Sequence, residues 1–129
     1  MKSIRYAAIG LVTALVPAMG IADCRARLAE VQPIFNANCV ACHQDAAPGG
    51  GLSLQRASAF DMLVGAPSAS VPEVLRIAPG LPDESLLWLK INNRHDEVGA
   101  AGTEMPPGAT LAEAERALIE GWITTCEAG

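Results

Sequence analysis

The sequence contains few aromatic residues, few basic residues and no long apolar run. Aromatic residues make up 4% of the chain, and beyond residue 22 only Phe35, Phe60, Trp88 and Trp122 remain. A core with so few large rings is easier to explain in a chain of 129 residues if a large bound group occupies its centre. No segment reaches the roughly 18 uninterrupted apolar residues that a transmembrane helix needs, so no membrane insertion of the mature chain is expected.

The N-terminal segment has the pattern of a secretory signal peptide. Two basic residues precede an apolar stretch at residues 7–16, and small residues follow where a signal peptidase would cut. We predict a signal peptide at residues 1–22, with cleavage after Ala22 and Gly20 as the second choice. Residues 23–129 would then form one exported, periplasmic domain.

The charge balance is acidic. The chain has fourteen acidic and nine basic residues, a formal net charge of −5. Lys2 and Arg5 would leave with the signal peptide while every acidic residue stays, so the mature charge is about −7. This balance argues against nucleic acid and anionic membrane surfaces as partners. It favours a protein partner with a basic docking patch, and we expect the chain itself to be a monomer.

Cys39-Val40-Ala41-Cys42-His43 is the motif around which we interpret the chain. Two thiols three positions apart, followed directly by an imidazole, form the pattern of c-type haem attachment. Each cysteine bonds one vinyl group of the porphyrin, and the histidine supplies an axial nitrogen to the iron. A carbonyl near Pro48 is expected to accept the other ring N–H of His43. The motif therefore predicts one covalently attached haem c.

The same residues are compatible with two other kinds of site. A dithiol redox motif is expected within a βαβ pattern, which the sequence lacks. A zinc site would use Cys39, Cys42 and His43, but no fourth ligand lies nearby in the sequence and the predicted export weighs against it. Haem attachment is therefore the preferred interpretation.

The sixth position of the iron has several candidate ligands. Met62 lies among apolar neighbours in a predicted helix and is expected to be a core residue. His95 lies in a polar loop, where we expect it to be exposed to solvent. Met105 precedes two prolines that restrict the backbone, so this loop could present a thioether with little reorganisation. Met105 is preferred, while His95 and an open or water-bound position remain alternatives.

Cys24 and Cys126 lie near opposite ends of the predicted mature chain. Cysteines of an exported chain commonly form disulfides. These two could pair if the terminal helices pack together, and two free thiols are the alternative.

Hydrophobic periodicity predicts four helices. The first covers residues 25–38, where Pro33 would start or kink it; the second covers residues 58–64, and Asp83 opens the third. A capping box at Thr110–Glu113 is predicted to start the last helix. The apolar face of that helix is predicted to contain Leu111, Ala114, Leu118, Trp122 and Cys126. Arg76 precedes the third helix and could reach a haem propionate or remain solvated.

Taken together, these segments resemble a bacterial class I cytochrome c, and most closely the planctomycete-type cytochrome c domain. The resemblance is carried by the haem motif at residues 39–43, Gly50-Gly51-Leu52-Ser53-Leu54, Pro79-Gly80, Ser85-Leu86-Leu87, Met105-Pro106-Pro107 and Trp122-Ile123. It implies an all-α cytochrome c fold of four to five short helices around one covalently bound haem, with packed N- and C-terminal helices.

The resemblance also implies a role for each site residue. Cys39 and Cys42 would be the attachment points, His43 the proximal ligand and Met105 the distal ligand of the iron. Crossed terminal helices would bring Cys24 and Cys126 to the same end of the molecule, which favours the disulfide. The expected function is one-electron transfer between redox proteins and not enzymatic catalysis. A ligand-binding sensor, a peroxidase-like domain, or a haem subunit of a dehydrogenase or oxidase is the alternative.

Overall fold

The computed structural model describes residues 12–15 and 20–127. The helices are α1 (Ile21–Asn38), α2 (Ala59–Leu63), α3 (Leu86–Ile91) and α4 (Glu113–Thr125), and short 3₁₀ turns lie at Gly49–Gly51, Pro82–Glu84 and His95–Val98. Two-residue strands β1 (His43–Gln44) and β2 (Ala47–Pro48) pair antiparallel, with His43 opposite Pro48. Four helices are present as predicted, and the small sheet is an addition to the all-α expectation. The prediction that Asp83 opens the third helix is wrong, because Asp83 lies in the 3₁₀ turn and α3 begins only after Ser85.

Most of the predicted signal peptide lies outside the described residues. Ile21 and Ala22, its last two residues, form the beginning of α1, which therefore starts four residues earlier than the sequence predicted. Within the described ranges, no helix combines the length and the apolar character needed to cross a membrane.

Helix α1 continues through Pro33 without a break. The missing N–H of a proline leaves the carbonyl four residues earlier without its helical partner. Here that carbonyl belongs to Ala29, and both Ala29 and Pro33 are exposed. Because water can reach this side of the helix, the unpaired carbonyl costs little and α1 keeps its full length.

The terminal helices α1 and α4 pack against each other and form the centre of the core. Phe35 meets Trp122 edge to face, with ring centroids 6.3 Å apart. The indole N–H of Trp122 donates to the carbonyl of Cys24 over 2.9 Å. Cys24 and Cys126 form a disulfide across this junction, with Cα atoms 4.7 Å apart. The expected packing of the terminal helices is confirmed.

The start and the buried face of α4 differ from the sequence prediction. The helix begins at Glu113 after Ala112, whose N–H donates to the Glu115 carboxylate, so the predicted capping box at Thr110 is wrong. Ala114 and Leu118 are exposed, Leu118 by 52%, while Ile119 and Ile123 are buried beside Trp122. Of the predicted face, Leu111, Trp122 and Cys126 are buried.

Candidate functional site

One cavity of about 360 Å³ lies between the segment after α1, helix α3 and the loop before α4. Both halves of the predicted site line it: Cys39, Cys42 and His43 on one side, Met105 with two prolines on the other. Its apolar lining comes from Leu52, Leu54, Leu63, Leu86, Leu87 and Ile91. A volume of this size with mostly apolar walls is typical of a cofactor site.

The two cysteines of the motif lie in a tight turn that directly follows α1. The N–H of Cys42 and the N–H of His43 both donate to the carbonyl of Cys39, over 3.2 and 2.9 Å. Cys39 is half-buried and Cys42 is exposed, and neither is in a disulfide. This turn keeps the two thiols and the imidazole on one short stretch of backbone beside the cavity.

The surroundings of Cys39 change the acidity of its thiol. Burial, and secondarily the negative charge of Glu115, raises its pKa to about 11. A dithiol redox motif depends on a cysteine whose pKa is lowered. The environment of Cys39 therefore disfavours a dithiol redox site. In the part of the chain that the structure describes, no three or more His, Cys, Asp or Glu side chains form a group that could hold a metal ion.

The ring of His43 is oriented by a backbone carbonyl. Its Nδ1 lies 3.1 Å from the carbonyl oxygen of Leu52, so Nδ1–H donates and Nε2 carries the free lone pair. The predicted acceptor near Pro48 is wrong, because Pro48 pairs with His43 through the small sheet while the chain returns to the ring at Leu52. A histidine with Nδ1 bonded in this way can ligate a metal through Nε2.

Gly49 leaves room for this arrangement. A Cβ at position 49 would lie 2.8 Å from the carbonyl oxygen of Cys42 and 3.4 Å from the ring carbon Cε1 of His43. The first distance is too short for a carbon–oxygen contact with backbone, so the chain would have to shift. The glycine therefore permits the close approach of the loop to the haem motif.

We expect Gly49→Ala to lower the free energy of unfolding by about 1–3 kcal/mol, because the added methyl group overpacks the turn. Urea unfolding of the holoprotein measures this change. Gly121→Ala is the matched control, since a Cβ there meets nothing within 4 Å and lies on an exposed face of α4. Equal stability of the two variants would contradict the close contact at Gly49.

Arg76 supports the loop that carries Leu52. Its guanidinium donates to the carbonyls of Met62 over 3.0 Å and of Gly51 over 3.2 Å. Burial lowers the pKa of Arg76 from its usual value, and its side chain also lines the cavity. Arg76 therefore lies at the site and is held by hydrogen bonds. It is not a freely solvated surface arginine.

Met105 is the only one of the three candidate sixth ligands that lines the cavity within the described ranges. The sulfur of Met62 instead accepts the N–H of Ser53 over 3.2 Å. The prediction that His95 is exposed is wrong: its side chain is only 7% exposed, and Nε2 lies 3.0 Å from the carbonyl of Gly102. The sequence misled here because the polar neighbours of His95 point outward while a 3₁₀ turn directs the imidazole inward.

Lys90 also lines the cavity, and sequence reasoning did not single it out. Its ammonium donates to the carbonyls of Ala101 over 2.7 Å and Thr103 over 2.8 Å. The carbonyl of Lys90 accepts the N–H of Met105 over 3.0 Å. One signal was present: apart from Lys2, Lys90 is the only lysine in the chain.

The donor set fits a covalently attached haem. Two unbonded thiols, an imidazole with a free Nε2 and a thioether border one apolar cavity, and these are the groups that hold a c-type haem. Cys39, Cys42, His43 and Met105 would hold it here.

Comparison with protein families finds one match. The family described as planctomycete cytochrome C matches residues 39–108, which is more than half of the chain and extends from the first cysteine of the motif to beyond Met105. Comparison with curated proteins and with solved structures finds no match.

Proposed function

The chain belongs to the planctomycete cytochrome c family, and we propose from this that it is a periplasmic monohaem c-type cytochrome that carries single electrons. The observation that carries the proposal is the single cavity bordered by Cys39, Cys42 and His43 on one side and by Met105 on the other. A haem iron bound there supplies one reversible oxidation step between its ferrous and ferric states. The protein's contribution is to attach, orient and shield the group.

Each site residue has a separate role in this proposal. Cys39 and Cys42 form the thioether bonds that prevent loss of the haem. His43 coordinates through Nε2, and its hydrogen bond to the carbonyl of Leu52 limits rotation of the ring. That bond also increases the basicity of the imidazole.

Met105 is the distal ligand in the proposal. A thioether is a soft ligand that favours ferrous iron, so His/Met ligation gives a higher reduction potential than two histidines would. The apolar walls of the cavity exclude water, which also disfavours the more highly charged ferric state. The site is thus suited to accept an electron and release it without changing ligands.

The charge of the chain suggests the partners. At about −7 after removal of residues 1–22, the protein is suited to dock on redox proteins that present basic surfaces. We propose that it acts as a soluble monomer between such partners. Export by the N-terminal signal would bring it to the compartment in which these partners exchange electrons.

Replacement of Met105 tests the ligand assignment. In Met105→Ala, we expect the weak far-red absorption band of ferric, sulfur-ligated haem to disappear. The reduction potential should fall by on the order of 100 mV, a modest part of the range that axial ligands control. Absorption spectroscopy and potentiometric titration of the purified holoprotein measure these changes.

Met62→Leu is the matched control, because it removes a thioether that does not line the cavity. It should retain the band and the potential. Survival of the band in Met105→Ala would show that another group ligates the iron. Rapid binding of carbon monoxide to the reduced wild-type protein would instead favour the ligand-binding sensor.

A further inference from the structure

Three consecutive carbonyls near Met105 accept hydrogen bonds from side chains of another segment. Ala101 and Thr103 accept from the ammonium of Lys90, over 2.7 and 2.8 Å. Gly102, between them, accepts from Nε2 of His95 over 3.0 Å. Since a carbonyl has no proton to give, Nε2 of His95 must be the protonated nitrogen. We call residues 101–105 the Met105 segment.

The Met105 segment has no regular secondary structure of its own. The described chain contains neither helix nor strand between the 3₁₀ turn that ends at Val98 and the start of α4 at Glu113. Backbone groups outside helices and sheets find their partners in side chains or in water. In this segment Lys90 and His95 supply those partners, and the carbonyl of Lys90 adds a bond from the N–H of Met105.

The segment that supplies these bonds is itself anchored at the cavity. Lys90 lies near the end of α3, whose Leu86, Leu87 and Ile91 line the cavity. Any movement of Met105 away from the cavity would break bonds to α3 at the same time. The hydrogen bonds therefore link the position of Met105 to the helix that forms one wall of the site.

Burial of the His95 imidazole is energetically unfavourable. The imidazole is 7% exposed, and Nδ1 is buried without a hydrogen-bond partner among the described residues. A buried acceptor without a partner is destabilising. An apolar side chain at this position would avoid that cost but could not bind the carbonyl of Gly102.

Gly102 allows the Met105 segment to approach Lys90 and His95 closely. Its φ of +90° lies in a region of backbone conformation that residues other than glycine rarely adopt. A Cβ at this position would lie 3.3 Å from Nζ of Lys90. The glycine thus allows the turn that directs three carbonyls towards the two donors.

We propose that Lys90 and His95 are positioning residues that hold the Met105 segment so that the thioether of Met105 faces the haem. The proposal rests on the proposed function, in which Met105 is the distal ligand. Lys90 contributes two charge-assisted hydrogen bonds and His95 one neutral bond, so Lys90 has the larger effect. Neither side chain acts on the iron directly; both act through the backbone of residues 101–103.

The test compares Lys90→Met and His95→Leu with wild type as holoproteins. Lys90→Met keeps the apolar stem and removes the donors, and His95→Leu removes the imidazole at similar bulk. Two measurements are made on each variant: the far-red band of the ferric protein, and exchange of the Met105 amide hydrogen with deuterium.

We expect Lys90→Met to reduce the far-red band and to accelerate exchange at the Met105 amide by about 10-fold or more, as loss of charged hydrogen bonds implies. His95→Leu should show the same changes to a smaller extent. Lys90→Arg and His95→Gln retain donors of comparable reach and should restore most of the band. Rescue by these variants separates positioning from a general loss of stability.

Arg27→Met is the matched control, because it removes the same charge, with the bonds of Arg27 to Glu30 and to the Thr125 hydroxyl, at a place that does not line the cavity. It should leave the band and the exchange rate unchanged. A wild-type protein without the band would overturn Met105 ligation and with it the proposed function, whereas unchanged exchange in Lys90→Met overturns the positioning role by itself. Equal losses in Lys90→Met and Arg27→Met would also overturn it.

Discussion

Replacing Cys39 and Cys42 together by serine is expected to abolish covalent haem attachment and to leave a chain that does not fold stably. A hydroxyl group does not form the thioether bond, so the haem could be held only by its axial ligands and by packing. In this variant, water would enter a cavity of about 360 Å³ whose accessible walls are mostly apolar. Without the haem, these apolar walls lose the burial that contributes most to folding. The total stability of a typical domain is only about 5–15 kcal/mol.

Haem staining after denaturing electrophoresis measures the loss directly, and circular dichroism of the purified variant measures the remaining helix. The single variants Cys39→Ser and Cys42→Ser are the controls, because each retains one thioether bond. Their pyridine haemochrome spectra should each show one remaining vinyl group. Haem that stays attached to the double variant through denaturation would disprove the role of these two cysteines.

Removing the disulfide has the second largest expected effect. The double variant Cys24→Ala, Cys126→Ala should lose about 4–5 kcal/mol of unfolding free energy, because the bond closes a loop with a sequence separation of 102 residues. Without the cross-link, the unfolded chain has more conformational freedom, which stabilises the unfolded state relative to the folded one. The fold itself should persist, since Phe35 and Trp122 still hold α1 against α4.

Urea unfolding of the haem-loaded proteins, followed by far-ultraviolet circular dichroism, gives the difference in free energy. Thr124→Ala, an exposed substitution on α4, is the control and should change stability by less than about 0.5 kcal/mol. The far-red band should be unchanged in both variants, because none of the three substituted residues lines the cavity. A difference below about 1 kcal/mol for the double variant would show that the cross-link contributes little.

Periodicity located the helices well and their ends less well. In α1, every buried residue but Gln32 is apolar, and these residues recur at helical spacing, so the helix and its core face were both predictable. In α4, the pattern predicted a start at Thr110 and a buried Leu118, whereas the helix starts at Glu113 and buries Ile119.

The haem motif and the methionine could be recognised without the structure because each is defined by neighbours in the chain. Cys39, Cys42 and His43 are adjacent, and Met105 is marked by the two prolines that follow it. The groups that orient them were not predictable in the same way. Leu52, which accepts from His43, and Lys90, which holds the Met105 segment, are identified only by contacts between separate parts of the chain.

The sequence by itself thus determined the chemistry of this protein: two thiols, an imidazole and a thioether suited to a haem, and two further cysteines able to pair. These are properties of residue type and local spacing, which do not depend on the path of the chain. The tertiary structure alone decided that Leu52 orients His43, that His95 is buried and that Lys90 binds the carbonyls beside Met105. Donors and acceptors of these kinds occur throughout the chain, and no local pattern marks the ones that pair. Only the folded backbone determines which donor meets which acceptor.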